Sequence, residues 1–233
     1  MTEGSNQGLF IIVAIVIFGI FVSIVYLLFG DNLKPTLSSI FKDSFENVNN
    51  VMGIDSSGDS SIDLSNLPYD DWVKYLESKG YVVATDSDFS GDRDGEFKYI
   101  GTAKKVIIPK IINGVNITSV ATMFSNNTPI DAVAMKNPNV TDMWGMFSDN
   151  QSKSLDLSNL FTENVTNMES MFWRSKATKL DLSSFDTSKV IDMNYMFMNS
   201  NATTGYARTS DDATRFNNTF GKPDTLNFTV KQQ

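Results

Sequence analysis

The densest set of oxygen-bearing side chains in the chain is DSDFSGDRDGEF, from Asp86 to Phe97. Asp86, Asp88, Ser90, Gly91, Asp92 and Asp94 fall on positions 1, 3, 5, 6, 7 and 9 of an EF-hand loop, the spacing that wraps hard oxygen ligands around one calcium ion. Position 12 of such a loop supplies a bidentate glutamate, and here it is Phe97, with Glu96 one residue early. The stretch therefore reads either as a weak calcium site built on Asp86, Asp88, Asp92 and Asp94 or, as the better fit, as an acidic hairpin turning through Asp94 and Gly95. A second carboxylate set, Asp131, Asp156 and Asp181, recurs every 25 residues. If the segments stack as strands, these side chains lie about 4.8 Å apart in one outward column. Such a column is a solvated acidic rib or a contact for a cation or a basic partner. Trp144 and Trp173 stand outside the apolar register described below, and are read either as packing between neighbouring repeats or as exposed anchors for a partner.

Other chemistry is excluded by composition. There is no histidine and no cysteine, so no Ser-His-Asp triad, no Cys-His pair and no zinc site of nitrogen and sulfur ligands. Carboxylate, lysine or hydroxyl mechanisms remain, and no carboxylate spacing supports glycoside hydrolysis. The expectation is a protein that is not an enzyme and carries no cofactor, calcium aside. The absence of cysteine rules out disulfides and leaves the redox compartment open. A formal charge of −8 with scattered lysines argues against nucleic acid as a partner.

The elements that must position these residues are written in a 25-residue repeat from Ile130 through Asn201. IDAVAMKNPNVTDMWGMF, LDLSNLFTENVTNMESMF and LDLSSFDTSKVIDMNYMF begin at Ile130, Leu155 and Leu180 and align without a gap. The apolar columns are Ile130/Leu155/Leu180, Ala132/Leu157/Leu182, Met135/Leu160/Phe185, Val140/Val165/Val190, Met143/Met168/Met193, Met146/Met171/Met196 and Phe147/Phe172/Phe197. Ile117, Val120, Met123 and Phe124 form a degenerate earlier copy. A fixed period of this length predicts a solenoid. Within one repeat, Leu180 and Leu182 alternate with Asp181 and Ser183 as in a short strand, while Val190, Met193, Met196 and Phe197 share one face of a two-turn helix capped by Asp186, Thr187 or Ser188. Strand, turn and short helix make the expected fold α/β: a short leucine-rich-repeat solenoid with terminal caps, preceded by an N-terminal transmembrane helix. The methionines are read as core filler.

Ahead of the repeats, after a tail at 1–8, the uncharged run LFIIVAIVIFGIFVSIVYLLF at 9–29 spans roughly 30 Å as a helix and predicts a single membrane pass. The leader MTEGSNQG has no lysine or arginine, unlike a signal peptide, and Val13 stands where type IV pilins carry glutamate. Residues 30–52 form an amphipathic juxtamembrane helix whose Leu37, Ile40, Phe41, Phe45 and Val48 pack on the membrane surface or the protein's own domain, or serve as a self-association seam. A Ser, Gly and Asp-rich linker occupies 53–66. An N-terminal cap and the degenerate repeat take 67–129, with a helix from Tyr69 to Lys79 stopped by Gly80, strands at Tyr81, Phe97 and Lys105, and an Asn113-Gly114 hairpin turn. The three repeats take 130–201, and 202–233 form the C-terminal cap with one last strand in TLNFTV.

The elements VTDMWGMF at Val140, VTNMESMF at Val165 and VIDMNYMF at Val190, each preceded by an LDLSxFxT-like stretch, resemble the BspA-like leucine-rich-repeat surface proteins of bacteria. FKYIGTAKKVIIPKIINGVNITSVATMF is similar to the segment ahead of those repeats, so the resemblance covers about residues 97–201. It implies a membrane-anchored surface protein whose head binds a protein or glycan partner, although this chain has no lipobox cysteine. The positive-inside rule, with Lys34 and Lys42 after the apolar run and none before it, favours instead a cytoplasmic C-terminal side. The competing expectation is a structural subunit of a secretion, conjugation or filament assembly that oligomerises through residues 9–52.

Overall fold

The computed structural model describes residues 63–91, 97–126 and 129–232. The chain divides into two units, Met1–Leu67 and Pro68–Gln233. Of the first, only 63–67 are described, where the Asp63 carboxylate accepts bonds from Ser65 and Asn66. The apolar run at 9–29, the amphipathic segment with Leu37, Ile40, Phe41, Phe45 and Val48, and nearly all of the linker lie outside the described residues. Among the described residues, no helix is long and apolar enough to cross a membrane.

The second unit runs α1 (Tyr69–Ser78), β1 (Val82–Val83), the hairpin β2 (Phe89–Gly91) and β3 (Phe97–Tyr99), β4 (Lys105–Ile107), the hairpin β5 (Ile111–Ile112) and β6 (Val115–Asn116), β7 (Ala132–Ala134), β8 (Lys179–Leu182), β9 (Thr204–Ala207), α2 (Ser210–Asn217) and β10 (Asn227–Val230). Helix α1 ends where Gly80 adopts φ 84°: its N–H bonds to Glu77 O and that of Tyr81 to Leu76 O, closing two orphan carbonyls in a Schellman motif. Asn113 and Gly114, at φ 49° and 76°, give the β5–β6 hairpin its twist-compatible turn.

The remaining strands are rungs of one stack. β1, β4 and β7 pair in parallel in that order, and so do β8, β9 and β10, with register Leu180↔Gly205 and Asp181↔Tyr206. Between the two sheets the strand expected at Leu155 is reduced to bridges, Ala132↔Asp156 and Met135↔Leu160. The result is a β-solenoid of about six turns.

The second half of each repeat departs from the expected helix. Over 143–150 the chain makes consecutive tight turns, closed by Met146 N–H to Met143 O, Ser148 N–H to Gly145 O and Asn150 N–H to Phe147 O. The intervening N–H groups leave the coil altogether: Met143, Gly145, Phe147 and Asp149 donate to Asn167, Glu169, Met171 and Trp173 at 2.8–2.9 Å. The same pattern repeats from Met168, Ser170, Phe172 and Arg174 to the coil after. An α-helix would keep those donors to itself. The turns give half of them to the neighbouring coil, so coils are stitched by backbone on this side as well as through the sheet. Apolar residues at i, i+3, i+6 and i+7 fit either geometry, because a tight turn also brings the chain round in three residues. The geometry requires left-handed backbone twice per coil, at Gly145 and Asp149, Ser170 and Arg174, and Tyr195 and Asn199, all with φ between 56° and 58°.

The expected helix cap is also absent. Asp186 Oδ1 takes the Ser188 N–H at 2.9 Å in a local turn, and Thr187 is buried against Asp212. A further turn device sits at the residue before the first methionine of each motif. Asp142, Asn167 and Asp192 accept the N–H two residues on, from Trp144, Glu169 and Asn194. These Asx turns start each turn train.

Every residue of the apolar columns is buried except Met193, which is partly buried. Through the middle runs a ladder of rings: Tyr99, Phe124, Phe147, Phe172 and Phe197, with centroids 5.3, 5.7, 5.6 and 6.0 Å apart. The last three steps are stacked within 13° of parallel. At the end of the stack Phe216 of α2 and Phe228 of β10 close on Phe197. Helix α2, which the sequence pattern did not predict, stands one period beyond residues 185–192, at the corner that precedes the turn train in the coil before it. Its N-cap is Thr209, whose side chain accepts the Asp212 N–H. Asp212 stands one period beyond Thr187, so 202–233 continue the register instead of abandoning it.

Candidate functional site

The outward side of the sheet carries the aspartate column. Asp131 and Asp156 are exposed and Asp181 is half-buried. Two of the three are spoken for. Asp156 Oδ1 caps the turn at Ser158, and its Oδ2 takes the Tyr81 hydroxyl at 3.3 Å. Burial, with the Asp156 charge beside it, pushes the Tyr81 hydroxyl up to about 12. Asp181 accepts from Ser183 and pairs with Lys231 at 2.8 Å. Burial alone would raise the Asp181 carboxyl, but the Lys231 and Ser183 bonds outweigh it and hold it below the usual range. Lys105 lies over the Tyr81 ring and Lys179 over Tyr206. The face is thus interleaved with cations and tyrosines and satisfies itself, which leaves Asp131 alone of the three in a bare acidic position.

Only the first half of the partial EF-hand spacing lies in the described residues. Asp86 and Asp88 lie in a short 3-10 turn, where Asp86 Oδ1 takes the Asn113 N–H and Asp88 Oδ2 takes the Thr85 N–H and hydroxyl at 2.8 and 2.9 Å. Phe97 pairs with Gly91 across the β2–β3 hairpin and is buried. Asp92, Asp94 and Glu96 lie outside the described residues. Among the described residues no three acidic side chains converge on a point where a metal would sit.

The turn trains form the other surface. Trp144 is 44% exposed, and its N–H is held by Asp142. Trp173 is half-buried beneath Arg174, whose guanidinium lies 5.0 Å from the indole and 3.1 Å from Asp149. The two tryptophans therefore part company: Trp173 is half-buried under its neighbour Arg174 and Trp144 faces solvent. Three further apolar residues join this face at its C-terminal end. Ile191 is 87% exposed, Tyr195 38% and Phe220 65%. Tyr195 donates its N–H to Phe220 O, and their rings meet edge to face at 5.2 Å. The sequence carried a signal for two of these. In the column Thr141/Thr166/Ile191 and the column Gly145/Ser170/Tyr195, the last copy puts a large apolar residue where the others are small or polar. Phe220 follows the final repeat, and no column marks it.

At the C-terminal coil Arg208 bridges Asp186 with two 3.0 Å contacts and reaches Asp212 at 3.3 Å. Asp212, buried, also accepts from Thr187 and Thr209 at 2.6 Å each. Burial pushes its carboxyl up, and these hydrogen bonds outweigh it and hold the group below the ordinary range.

Residues 105–209, from β4 to the N-cap of α2, match the model of a family described as Mycoplasma protein of unknown function, DUF285. Neither a curated protein nor a solved structure matches the chain. The matched stretch is a repeat region, in keeping with the solenoid.

Proposed function

We propose that this chain is a membrane-anchored bacterial surface protein of the BspA-like kind, whose solenoid head recognises a protein or glycan partner through the turn face. The observation that carries the reading is the exposed ring pair Tyr195 and Phe220, 5.2 Å apart, with exposed Ile191 four residues ahead of it in the chain and exposed Trp144 two repeats earlier. Exposed apolar side chains of this size present on the order of 300 Å² of apolar surface, within the range of functional patches on monomers. Their backbone is held by bonds from coil to coil, so the cluster is pre-organised and an incoming ligand orders little. The uncharged run at 9–29 supports the anchor, and the repeat motif supports surface display.

The test is binding of the full chain to protein and glycan arrays, with Ile191→Ser, Phe220→Ser and Trp144→Ser compared with the unaltered protein. The expected result is one ligand class bound by the parent and weakened at least tenfold by Ile191→Ser and by Phe220→Ser, a loss of about 1.4 kcal/mol or more per side chain. A ligand held equally by all variants overturns the assignment to this face, and no ligand on either array overturns recognition.

A further inference from the structure

The last rung of the stack, β10, pairs with β9 on one side only. Lys231 donates to Ala207 O, so by the alternation of a strand the backbone groups of residues 227, 229 and 231 point toward β9 and those of Phe228 and Val230 point away. A parallel sheet edge with such groups unpaired is a template for another chain. At Phe228 the edge is occupied. Its N–H donates to Asn217 Oδ1 at 2.9 Å, and its carbonyl accepts from Asn217 Nδ2 at 2.9 Å. A carboxamide is the side-chain group that offers a donor and an acceptor in one plane as a peptide does. Asn217 is the final residue of α2, and its neighbour Phe216 is buried between Phe197 and Phe228, which fixes the helix over the edge. Beyond it, Lys231 is tied back to Asp181.

We infer that the Asn217 side chain stands in for a neighbouring strand on the open edge of β10 and keeps that edge from pairing with a second copy of this chain. The complementary edge lies at the other end of the same molecule. β1 is the outer strand of its sheet, with Val82 exposed, and it runs in the parallel sense that a next rung after β10 requires. Pairing of β10 with β1 of a second copy is head to tail and does not close, so an unguarded edge leads to chains of molecules.

The experiment compares the full chain with Asn217→Ala, both purified in one neutral detergent, by hydrogen exchange at the Phe228 amide and by sedimentation over a range of concentrations. The expected result is a tenfold or greater loss of Phe228 protection, together with larger species that grow with concentration. Adding Val230→Pro, which removes the other outward N–H without touching the β9 ladder, should abolish the larger species and leave the Phe228 amide exposed. Sedimentation identical to the parent at every concentration overturns the inference, as does association that survives Val230→Pro. Should Asn217→Ala fail to fold, Asn217→Leu keeps the volume and lacks both hydrogen bonds, and its failure to associate overturns the inference equally.

Discussion

Phe172 is the middle ring of the stacked ladder, fully buried between Phe147 at 5.6 Å and Phe197 at 6.0 Å, with ring planes 9° and 6° from parallel. Phe172→Ala removes the side chain from a site that cannot collapse, because the coils above and below are held apart by backbone bonds from Phe147 N–H to Met171 O and from Phe172 N–H to Met196 O. Phe→Ala in such cores costs about 3–5 kcal/mol, and the rigid stack places this case near the upper end. Phe172→Leu keeps most of the apolar volume and loses two ring pairs at roughly 0.5–1.5 kcal/mol each, for a total of about 2 kcal/mol. Phe220→Ala, at an exposed ring, should cost under about 1 kcal/mol. The assay is urea unfolding of the full chain followed by fluorescence, with Trp173 reporting from beside the substituted ring, Trp144 from the preceding coil and Trp72 from α1. With a slope near 2 kcal/mol/M, Phe172→Ala should move the midpoint down by about 2 M, with the slope unchanged. A midpoint for Phe172→Ala within error of Phe220→Ala would refute the claim that the stacked rings hold the coils together.

Two glycines should respond to alanine to different degrees. Gly145 has φ 57°, and an added Cβ would meet only Thr122 Cγ2 at 3.5 Å and Ser148 Cβ at 3.7 Å, so Gly145→Ala should cost about 1 kcal/mol, as expected where other coils place Ser170 and Tyr195. At Gly205 the Cβ would lie 2.3 Å from the Phe228 ring, and Gly205→Ala should cost about 3 kcal/mol by overpacking, both values being read from thermal or urea melts. Asn167 donates to Asp142 Oδ1 at 2.9 Å from the rung between Asp142 and Asp192. Asn167→Asp, which removes the donor and sets like charges on adjacent rungs, should therefore destabilise by about 1–2 kcal/mol at pH 7 in urea melts, and a midpoint equal to the parent's would contradict the ladder. The Asp212 carboxyl is held below its unfolded value of about 3.9, so its contribution is complete above about pH 5 and is lost as pH falls through the lowered folded value. Asp212→Asn should cost about 2 kcal/mol at pH 7, and the gap to the parent should narrow below pH 4 in melts recorded across that range.

What was legible in the sequence was the burial register, because an apolar column repeated every 25 residues can only be a shared core. The parallel strands at Lys105, Leu180 and Asn227 and the Asn113-Gly114 hairpin were equally plain, since alternation and turn chemistry are local. The convex half was misread because spacing does not report where an N–H goes. Val190, Met193, Met196 and Phe197 sit at helical intervals, yet the two coils before them, with the same spacing, send alternate donors sideways to the next coil, a choice made by the neighbouring coils and not by the segment. The motif still held the clue in Asp142, Asn167 and Asp192, whose short acceptors favour turns over helix interiors. Helix α2 was hidden because its Thr209 and Asp212 signal is short and its apolar residues serve the end of the stack. Among the site residues, Trp144 was identified as an exposed anchor candidate beside Trp173, and nothing in sequence separated the two. The separation comes from Arg174, which covers one indole from the adjoining residue.

The measurement that bears most directly on a displayed recognition head is protease shaving of intact cells expressing the full chain with a C-terminal epitope tag, with lysed cells as control. Surface display predicts that the tag is lost from intact cells, while the rigid repeat core is released as a protected fragment. A tag that persists in intact cells and disappears only on lysis would place the repeats in the cytoplasm and contradict the account.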